Sequence, residues 1–403
     1  MRLNKQIVYP VLIGLFLLIA TIGVVLFAKG YRFDFNNGSP AFGVTGQLVL
    51  KSVPDGAQVF IDNHLTTATN NTINLTPGSY DIKIEKDGYF PWQKKLFITK
   101  EVVTSVDALL FPTSPSAIQS ITQLGALNPV IDPSQTRIAY VVASQSASVN
   151  GVYILDISSR PLLTLQSSST QLVDDTNALF SQAKLSWSPD GKNILARIDN
   201  QSNGPTYYLL DPNNSNQTPQ DVTETLGSLQ STWNNFTKQQ NKALLDGLKD
   251  PLRNFVTQNM NILAWSPDET KILYQATSSA SFPYMRTPRL IGLNSTPESR
   301  QLNQNSIYVY DIKNDQNFLI TLDNKSSESL FLKWFPDSNH LVYVHNKKVD
   351  IMEYDSMNQT TIYAGPFIDH YLFTAANDVS KIIISTDFGN TNTLPNLYSI
   401  SLQ

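Results

Sequence analysis

Trp187-Ser188-Pro189-Asp190-Gly191, followed by Ile194-Leu195-Ala196, decides the architecture because the stretch recurs. Trp265-Ser266-Pro267-Asp268 precedes Ile272-Leu273-Tyr274 at the same offset, and Trp334-Phe335-Pro336-Asp337 precedes Leu341-Val342-Tyr343. Asp132-Pro133-Ser134 leads to Ile138-Ala139-Tyr140, with Ile131 at the tryptophan position. Asn377-Asp378 with Ile382-Ile383-Ile384 is a worn fifth copy. Each copy reads as a tight turn feeding an apolar strand. A further strand follows in every unit, such as Tyr153-Ile154-Leu155-Asp156, Tyr208-Leu209-Leu210-Asp211 and Tyr308-Val309-Tyr310-Asp311. The later units continue with Ile351-Met352-Glu353-Tyr354-Asp355 and Asn396-Leu397-Tyr398-Ser399-Ile400.

Positions 133, 189, 267, 336 and 377 lie 56, 78, 69 and 41 residues apart. A four-stranded propeller blade needs ~40–50 residues, so the longer intervals hold insertions. Within 218–256, Thr218-Pro219-Gln220-Asp221 is close to a capping box with proline at the first helical position. Leu226, Leu229, Trp233 and Phe236 then recur at spacings of three and four, which predicts an amphipathic helix. Residues 277–305 are rich in Ser, Pro and Asn and read as a loop. The repeated Ser-Pro-Asp-Gly turn resembles that of the TolB-like six-bladed propellers, which also occur as non-catalytic domains of prolyl peptidases. The resemblance implies a β-propeller over 113–403 with five to seven blades, six favoured.

Upstream, 46–112 reads as a small β-domain. Gln47-Leu48-Val49-Leu50-Lys51 halts at the Pro54-Asp55-Gly56 turn, and Val59-Phe60-Ile61-Asp62 extends again. Leu75-Thr76-Pro77-Gly78-Ser79 turns into Tyr80-Asp81-Ile82-Lys83-Ile84-Glu85, which alternates at period two. Asp87-Gly88 turns once more before Tyr89, Phe90 and Trp92, and Lys95-Leu96-Phe97-Ile98 extends last. An antiparallel sandwich is expected. Pro54, Gly56 and Ala57, then Pro77 and Gly78, then Gly88 and Tyr89 fall in the order seen in PEGA domains, which this stretch resembles; Asp55 stands where that family's name has Glu. The resemblance implies a surface-layer-associated, extracytoplasmic adhesion or spacer module with no catalytic residues to carry over.

Ile7 to Ala28 runs 22 residues without a charge. As a helix at ~1.5 Å per residue it would span ~33 Å, against a hydrocarbon core of ~30 Å. A cleaved signal peptide has a shorter apolar region, ~7–15 residues. An uncleaved transmembrane anchor over 1–28 is therefore expected, with the N-terminus cytoplasmic and the bulk of the chain extracytoplasmic. Residues 29–45, broken by Asn36-Asn37-Gly38-Ser39-Pro40, read as a juxtamembrane stalk.

The 403 residues carry a net charge of −4 and no cysteine. Disulfides, thiolate metal sites and cysteine nucleophiles are thereby excluded. A mild acidic excess without basic blocks argues against nucleic-acid binding. Asp190, Asp268 and Asp337 recur one per unit, which fits turn-capping better than a calcium ring needing six to eight converging oxygens. Trp187, Trp265 and Trp334 hold one fixed place before their turns, which suits structural anchors better than a sugar platform. His64, His340, His345 and His370 are scattered without zinc spacing. No Gly-x-Ser-x-Gly nucleophile elbow and no phosphate loop occurs. The expectation is an all-β, membrane-anchored scaffold of the cell envelope with no cofactor, whose propeller presents a face to a protein or a cell-wall glycan. The alternative is an envelope glycan- or peptide-processing enzyme with acids in the propeller funnel.

Overall fold

The computed structural model describes residues 5–28, 31–36, 39–158, 169–200, 204–322, 331–390 and 392–403, with side-chain surroundings given for Tyr9 to Val25 and from Val44 onward. The chain divides into two compact units, Met1–Leu110 with Arg286–Pro297, and Phe111–Met285 with Glu298–Gln403. Part of the segment read as a propeller loop thus belongs to the first unit.

In the first unit, α1 spans Lys5–Ala28. Its described side chains, Tyr9 to Val25, are exposed and uncharged. Among the described residues no helix is long and apolar enough to cross a membrane. The span expected over Ile7–Ala28 runs past those described side chains at both ends. The segment expected to be a stalk pairs with itself: β1 (Tyr31–Asn36) and β2 (Ser39–Val44) form an antiparallel hairpin in which Tyr31 faces Val44.

Seven further strands make a sandwich: β3 (Gly46–Val53), β4 (Gln58–Ile61), β5 (His64–Ala68), β6 (Asn71–Leu75), β7 (Gly78–Glu85), β8 (Trp92–Ile98) and β9 (Val103–Leu109). One sheet has the order β5-β4-β7-β8, the other β6-β3-β9. Alternation puts one side of β3, β4, β7, β8 and β9 inward, so Leu48, Leu50, Val59, Ile82, Ile84, Leu96 and Ile98 fill the core. Each contributes about 1.5–3 kcal/mol of apolar burial. The expected all-antiparallel pairing fails at one place, because β3 and β9 run parallel, with Gln47 opposite Val103. The chain crosses between the sheets after β8 and re-enters beside β3 in the same direction, which alternation along the sequence does not record.

Gly46 marks how closely that crossover approaches. A Cβ there would lie 2.4 Å from the Thr99 carbonyl oxygen and 2.6 Å from Ile98. Gly46→Ala is expected to destabilise the sandwich by more than ~2 kcal/mol, because backbone cannot step aside as a side chain can. Chemical denaturation followed at the sandwich tryptophan, Trp92, checks it; an unchanged midpoint would show that the crossover yields.

The second unit contains, among the described residues, five four-stranded antiparallel sheets. Blade 1 has strands Leu127–Ile131, Arg137–Val142, Gly151–Asp156 and Ser169–Asp174. Blade 2 has Lys184–Trp187, Ile194–Asn200, Gly204–Leu210 and Gln220–Asp221. Blade 3 has Met260–Trp265, Lys271–Ala276, Ile307–Asp311 and Gln316–Leu319; blade 4 has Lys333–Trp334, His340–His345, Lys348–Glu353 and Thr360–Ala364. Blade 5 has Leu372–Phe373, Lys381–Thr386 and Asn396–Ser401, and its outer strand is Ile118–Ser120 from the start of the unit. First and last segments thus share one sheet.

Facing sheets bury continuous apolar layers. Ala139, Val152 and Ile154 of blade 1 pack with Ile194 and Ala196 of blade 2. Leu273 and Val309 of blade 3 pack with Trp334, Leu341 and Met352 of blade 4. Ile138, Tyr140 and Leu155 of blade 1 pack with Phe373, Ile383 and Leu397 of blade 5, so the first and last sheets of the unit are neighbours. All five repeats found in the sequence begin a blade. The favoured count of six gives way to five four-stranded sheets among the described residues, because the outer strand of blade 5 comes from the other end of the unit. The one further sheet described in this unit is the short pair Ala280–Ser281 with Gln301–Leu302, strands at both ends of the segment 277–305 expected to be a loop.

The insertion after blade 2 also departs from expectation. Gln220–Asp221, read as the first turn of a helix, pairs with Tyr208 and Leu209 as the outer strand of its blade. The helix begins five residues later: α2 spans Leu226–Asp246, and a second helix, α3, spans Asp250–Asn259 with Pro251 in its first turn. The strand wins because its ladder hydrogen bonds complete an existing sheet, whereas an isolated first turn must pay for nucleation.

Candidate functional site

The repeated turns are built from one set of hydrogen bonds. The backbone N–H of Asp132, Ser188, Ser266 and Phe335 donates to the carbonyl five residues on, of Arg137, Asn193, Lys271 and His340, each at 2.9 Å. Inside these loops the acid caps its own neighbours. Asp190 accepts from Ser188 Oγ at 2.6 Å and from the Lys192 N–H at 3.1 Å. Asp268 accepts from Ser266 Oγ at 2.6 Å and from the Thr270 N–H at 3.1 Å. Asp337 accepts from the Asn339 and His340 N–H groups, both at 3.0 Å, and from the His340 ring at 2.5 Å. Pro189, Pro267 and Pro336 occupy the position between anchor and acid in the same three turns.

The tryptophans reach sideways. Trp187 Nε1 donates to the Val130 carbonyl at 3.1 Å, and Trp334 Nε1 donates to the Ala264 carbonyl at 3.5 Å. Both carbonyls belong to the first strand of the preceding blade, so the indole is a tie between neighbouring blades. Trp334 is buried; Trp187 and Trp265 are half-buried. In the sandwich, Gly56 adopts φ +67° and Gly88 φ +83°, both in the left-handed region that favours glycine. Ala57 is fully buried, and its N–H donates to Thr69 Oγ1 at 2.9 Å. The Tyr80 hydroxyl reaches back over Pro77 and Gly78 to the Thr76 carbonyl at 3.0 Å. The Tyr89 N–H bonds the Lys86 carbonyl across the Gly88 turn.

Burial opposes ionisation of Asp190, Asp268, Asp337 and Asp378, yet the donors just described hold all four below the usual carboxylate range; at Asp378 those are Ser380 and Lys381. A depressed folded pKa gives stability that is present above the unfolded value of about 4 and is lost as pH falls through the folded one. Propeller stability is therefore expected to fall as pH drops below ~4, and Asp337→Asn should flatten that slope. Denaturation midpoints measured between neutral pH and the acid limb test this, and an Asp337→Asn slope equal to wild type would refute it.

The histidines do not converge. His64 Nδ1 lies 2.8 Å from the Asp62 carbonyl, His340 pairs with Asp337, His345 Nδ1 lies 3.1 Å from Asp350, and His370 meets Tyr371 edge-on. The first strands of the five blades carry Asn128, Lys184, Ser186, Asn261 and Lys333 and, among the described residues, no Asp or Glu. The Lys333 ammonium, pulled down by burial, donates to the Leu372 carbonyl at 3.2 Å.

Two features had no signature in the sequence. Arg300 pairs with Glu298 at 2.8 Å and with Asp315 at 3.1 Å, between the rings of Phe282 and Tyr284. The other is the unequal docking of the inserted helices. α3 buries Leu252 and Val256 against blade 3, and Phe255 stacks on Phe282 at 4.4 Å. α2 buries no side chain: Leu226, Leu229, Trp233 and Phe236 stay half-exposed over 21 residues of helix. That stripe is an apolar surface left partly uncovered, which makes it a candidate contact surface.

Residues 45–114 match the family profile described as "PEGA domain". No curated protein matches the chain. Among solved structures, a putative TolB from Agrobacterium tumefaciens shares 12% identity over 75% of this chain and 76% of its own, with a TM-score of 0.22. TolB from Acinetobacter baumannii shares 16% over 94% of this chain and 67% of its own, at 0.19. The β-propeller domain of the Trilobed protease from Pyrococcus furiosus shares 10% over 89% and 95%, at 0.22. Such scores say nothing of function, and the propeller is read from its own five four-stranded sheets and the packing of the first against the last.

Proposed function

We propose that this chain is a binding scaffold of the cell envelope, with α1 holding it in the membrane, its N-terminus cytoplasmic, and the sandwich and propeller extracytoplasmic. The observation that carries the reading is how the repeated polar groups are used. The turn acids cap their own loops and two of the three indole N–H groups tie blades together. The repeats therefore build a rigid frame, and recognition falls to what is inserted into it. Of the two inserted helices, the one with apolar surface to offer is α2, whose stripe at i, i+3, i+7 and i+10 suits a partner with an apolar groove. Aromatic residues such as Trp233 and Phe236 are the types that dominate binding energy at such contacts.

The anchor rests on the composition of α1. Seventeen consecutive described side chains, Tyr9 to Val25, are exposed and uncharged, an apolar surface that water does not tolerate. The PEGA match supports an envelope setting.

A photo-crosslinking residue at position 233 of the full chain, in native membranes, is expected to capture one protein partner. Trp233→Ser should abolish retention of that partner with no change in melting temperature. Retention of cell-wall glycan, unchanged by Trp233→Ser and without crosslinked protein, would overturn the protein-binding reading. Product release from glycan or peptide that disappears on changing one carboxylate would replace the scaffold with an enzyme.

A further inference from the structure

The sandwich has one pole with an unusual surface. Phe97 is 57% exposed, Val103 55%, Ile291 71% and Leu290 39%. The structure brings these residues together from distant parts of the sequence. The Phe97 N–H donates to Ser295 Oγ at 2.9 Å, and a Cβ on Gly292 would lie 2.8 Å from Val102 Cγ1. Residues 286–297 therefore lie along the turn between β8 and β9, within the first unit. Four large apolar side chains exposed at one such place call for a covering partner.

The same turn holds the point where the chain arrives from α1. The Glu101 N–H donates to the Thr45 carbonyl and the Gln47 N–H to the Val102 carbonyl, both at 3.0 Å. The hairpin β1–β2 does not carry this pole away from the helix. Because Tyr31 pairs with Val44, the strand that leaves α1 starts beside the residue that precedes Thr45. Three residues from Ala28 to Tyr31 reach at most ~11 Å, and paired strands lie ~4.8 Å apart. Thr45 is thus within roughly 20 Å of the end of α1. The charges suit the same surroundings: segments 94–103 and 286–297 together expose Lys95, Lys100, Arg286 and Arg289 against the single acid Glu101.

We propose that this pole, with Ile291 and Leu290 at its tip and Phe97 and Val103 beside them, rests on an anionic lipid surface next to α1. The contact rests on the reading of α1 as a membrane anchor. Apolar side chains enter the boundary of headgroups and acyl chains while Lys95, Lys100 and Arg289 face the headgroups, as at interfacial anchors. The folded hairpin then serves to hold the sandwich down on the bilayer.

The chain has no cysteine, so a single introduced one is a unique label. The full chain carrying Ile291→Cys with an environment-sensitive fluorophore, in phosphatidylcholine–phosphatidylglycerol vesicles, is expected to show blue-shifted emission quenched by spin-labelled lipid. Leu65→Cys is the control; Leu65 is 61% exposed but sits on β5, at the opposite edge of the sheet from β8, and should show neither effect. Lys100→Glu with Arg289→Glu should reduce the quenching at position 291. If the chain floats with the vesicles and 291 is quenched no more than 65, the lipid contact is overturned and the anchor stands. If the chain does not float with the vesicles, the anchor is overturned and this contact falls with it.

Discussion

Replacing Arg300 by methionine is expected to lower propeller stability by about 3–5 kcal/mol, the cost of leaving a buried carboxylate without its cation. Asp315 is 4% exposed, and Arg300 lies 3.1 Å from its carboxylate while also donating to its backbone carbonyl. The Met285 N–H and the Tyr310 hydroxyl donate to the same carboxylate, at 2.8 and 3.0 Å. Burial, with Asp315 alongside, pushes the Tyr310 phenol up, so it stays a donor throughout the working pH range. Arg300→Lys should recover only part of the loss, because an ammonium cannot hold Glu298 and Asp315 together as a planar fork does. The check is urea denaturation of the full chain; a loss below ~1 kcal/mol for Arg300→Met would mean that water replaces the guanidinium at no cost.

Trp334→Ala should cost a similar amount, about 3–5 kcal/mol, through loss of apolar volume rather than charge. The ring is 5% exposed in the layer between blades 3 and 4, where it joins Leu273, Val309, Leu341 and Met352. Trp265, at the equivalent place one blade earlier, is half-buried, so Trp265→Ala should cost clearly less. Melting temperatures of the two variants measured side by side decide it. Equal losses would show that the fixed position in the repeat, and not local burial, sets the contribution of the indole.

Much of this could be read along the chain because it is local. A turn of the Ser-Pro-Asp type is closed by hydrogen bonds that span five residues, so Asp190 and Asp268 announce their turns from neighbours alone. Period-two alternation in Tyr80–Glu85 and Lys95–Ile98 likewise identifies strands and their buried side. Gly56 and Gly88 stand where positive φ is needed, a demand that belongs to the backbone of a single residue.

What the sequence could not specify depends on partners far away in it. Nothing near Gln220-Asp221 distinguishes a first helical turn from an edge strand, and the free strand edge at Tyr208–Leu209 decides. Ile118–Ser120 carries no sign that it will pair with Ile400, Ser399 and Tyr398, yet this pairing completes the last four-stranded sheet with the first strand of the unit. The same limit hid the Arg300–Asp315 pair and the exposed pole joined by Phe97 and Ser295. The sequence by itself determined the repeat, the strands, the turns and a chain without cysteine. The tertiary structure alone decided the blade number, the parallel β3–β9 pair, the split insertion and which apolar side chains stay uncovered, because burial and strand pairing are properties of the neighbour as much as of the residue.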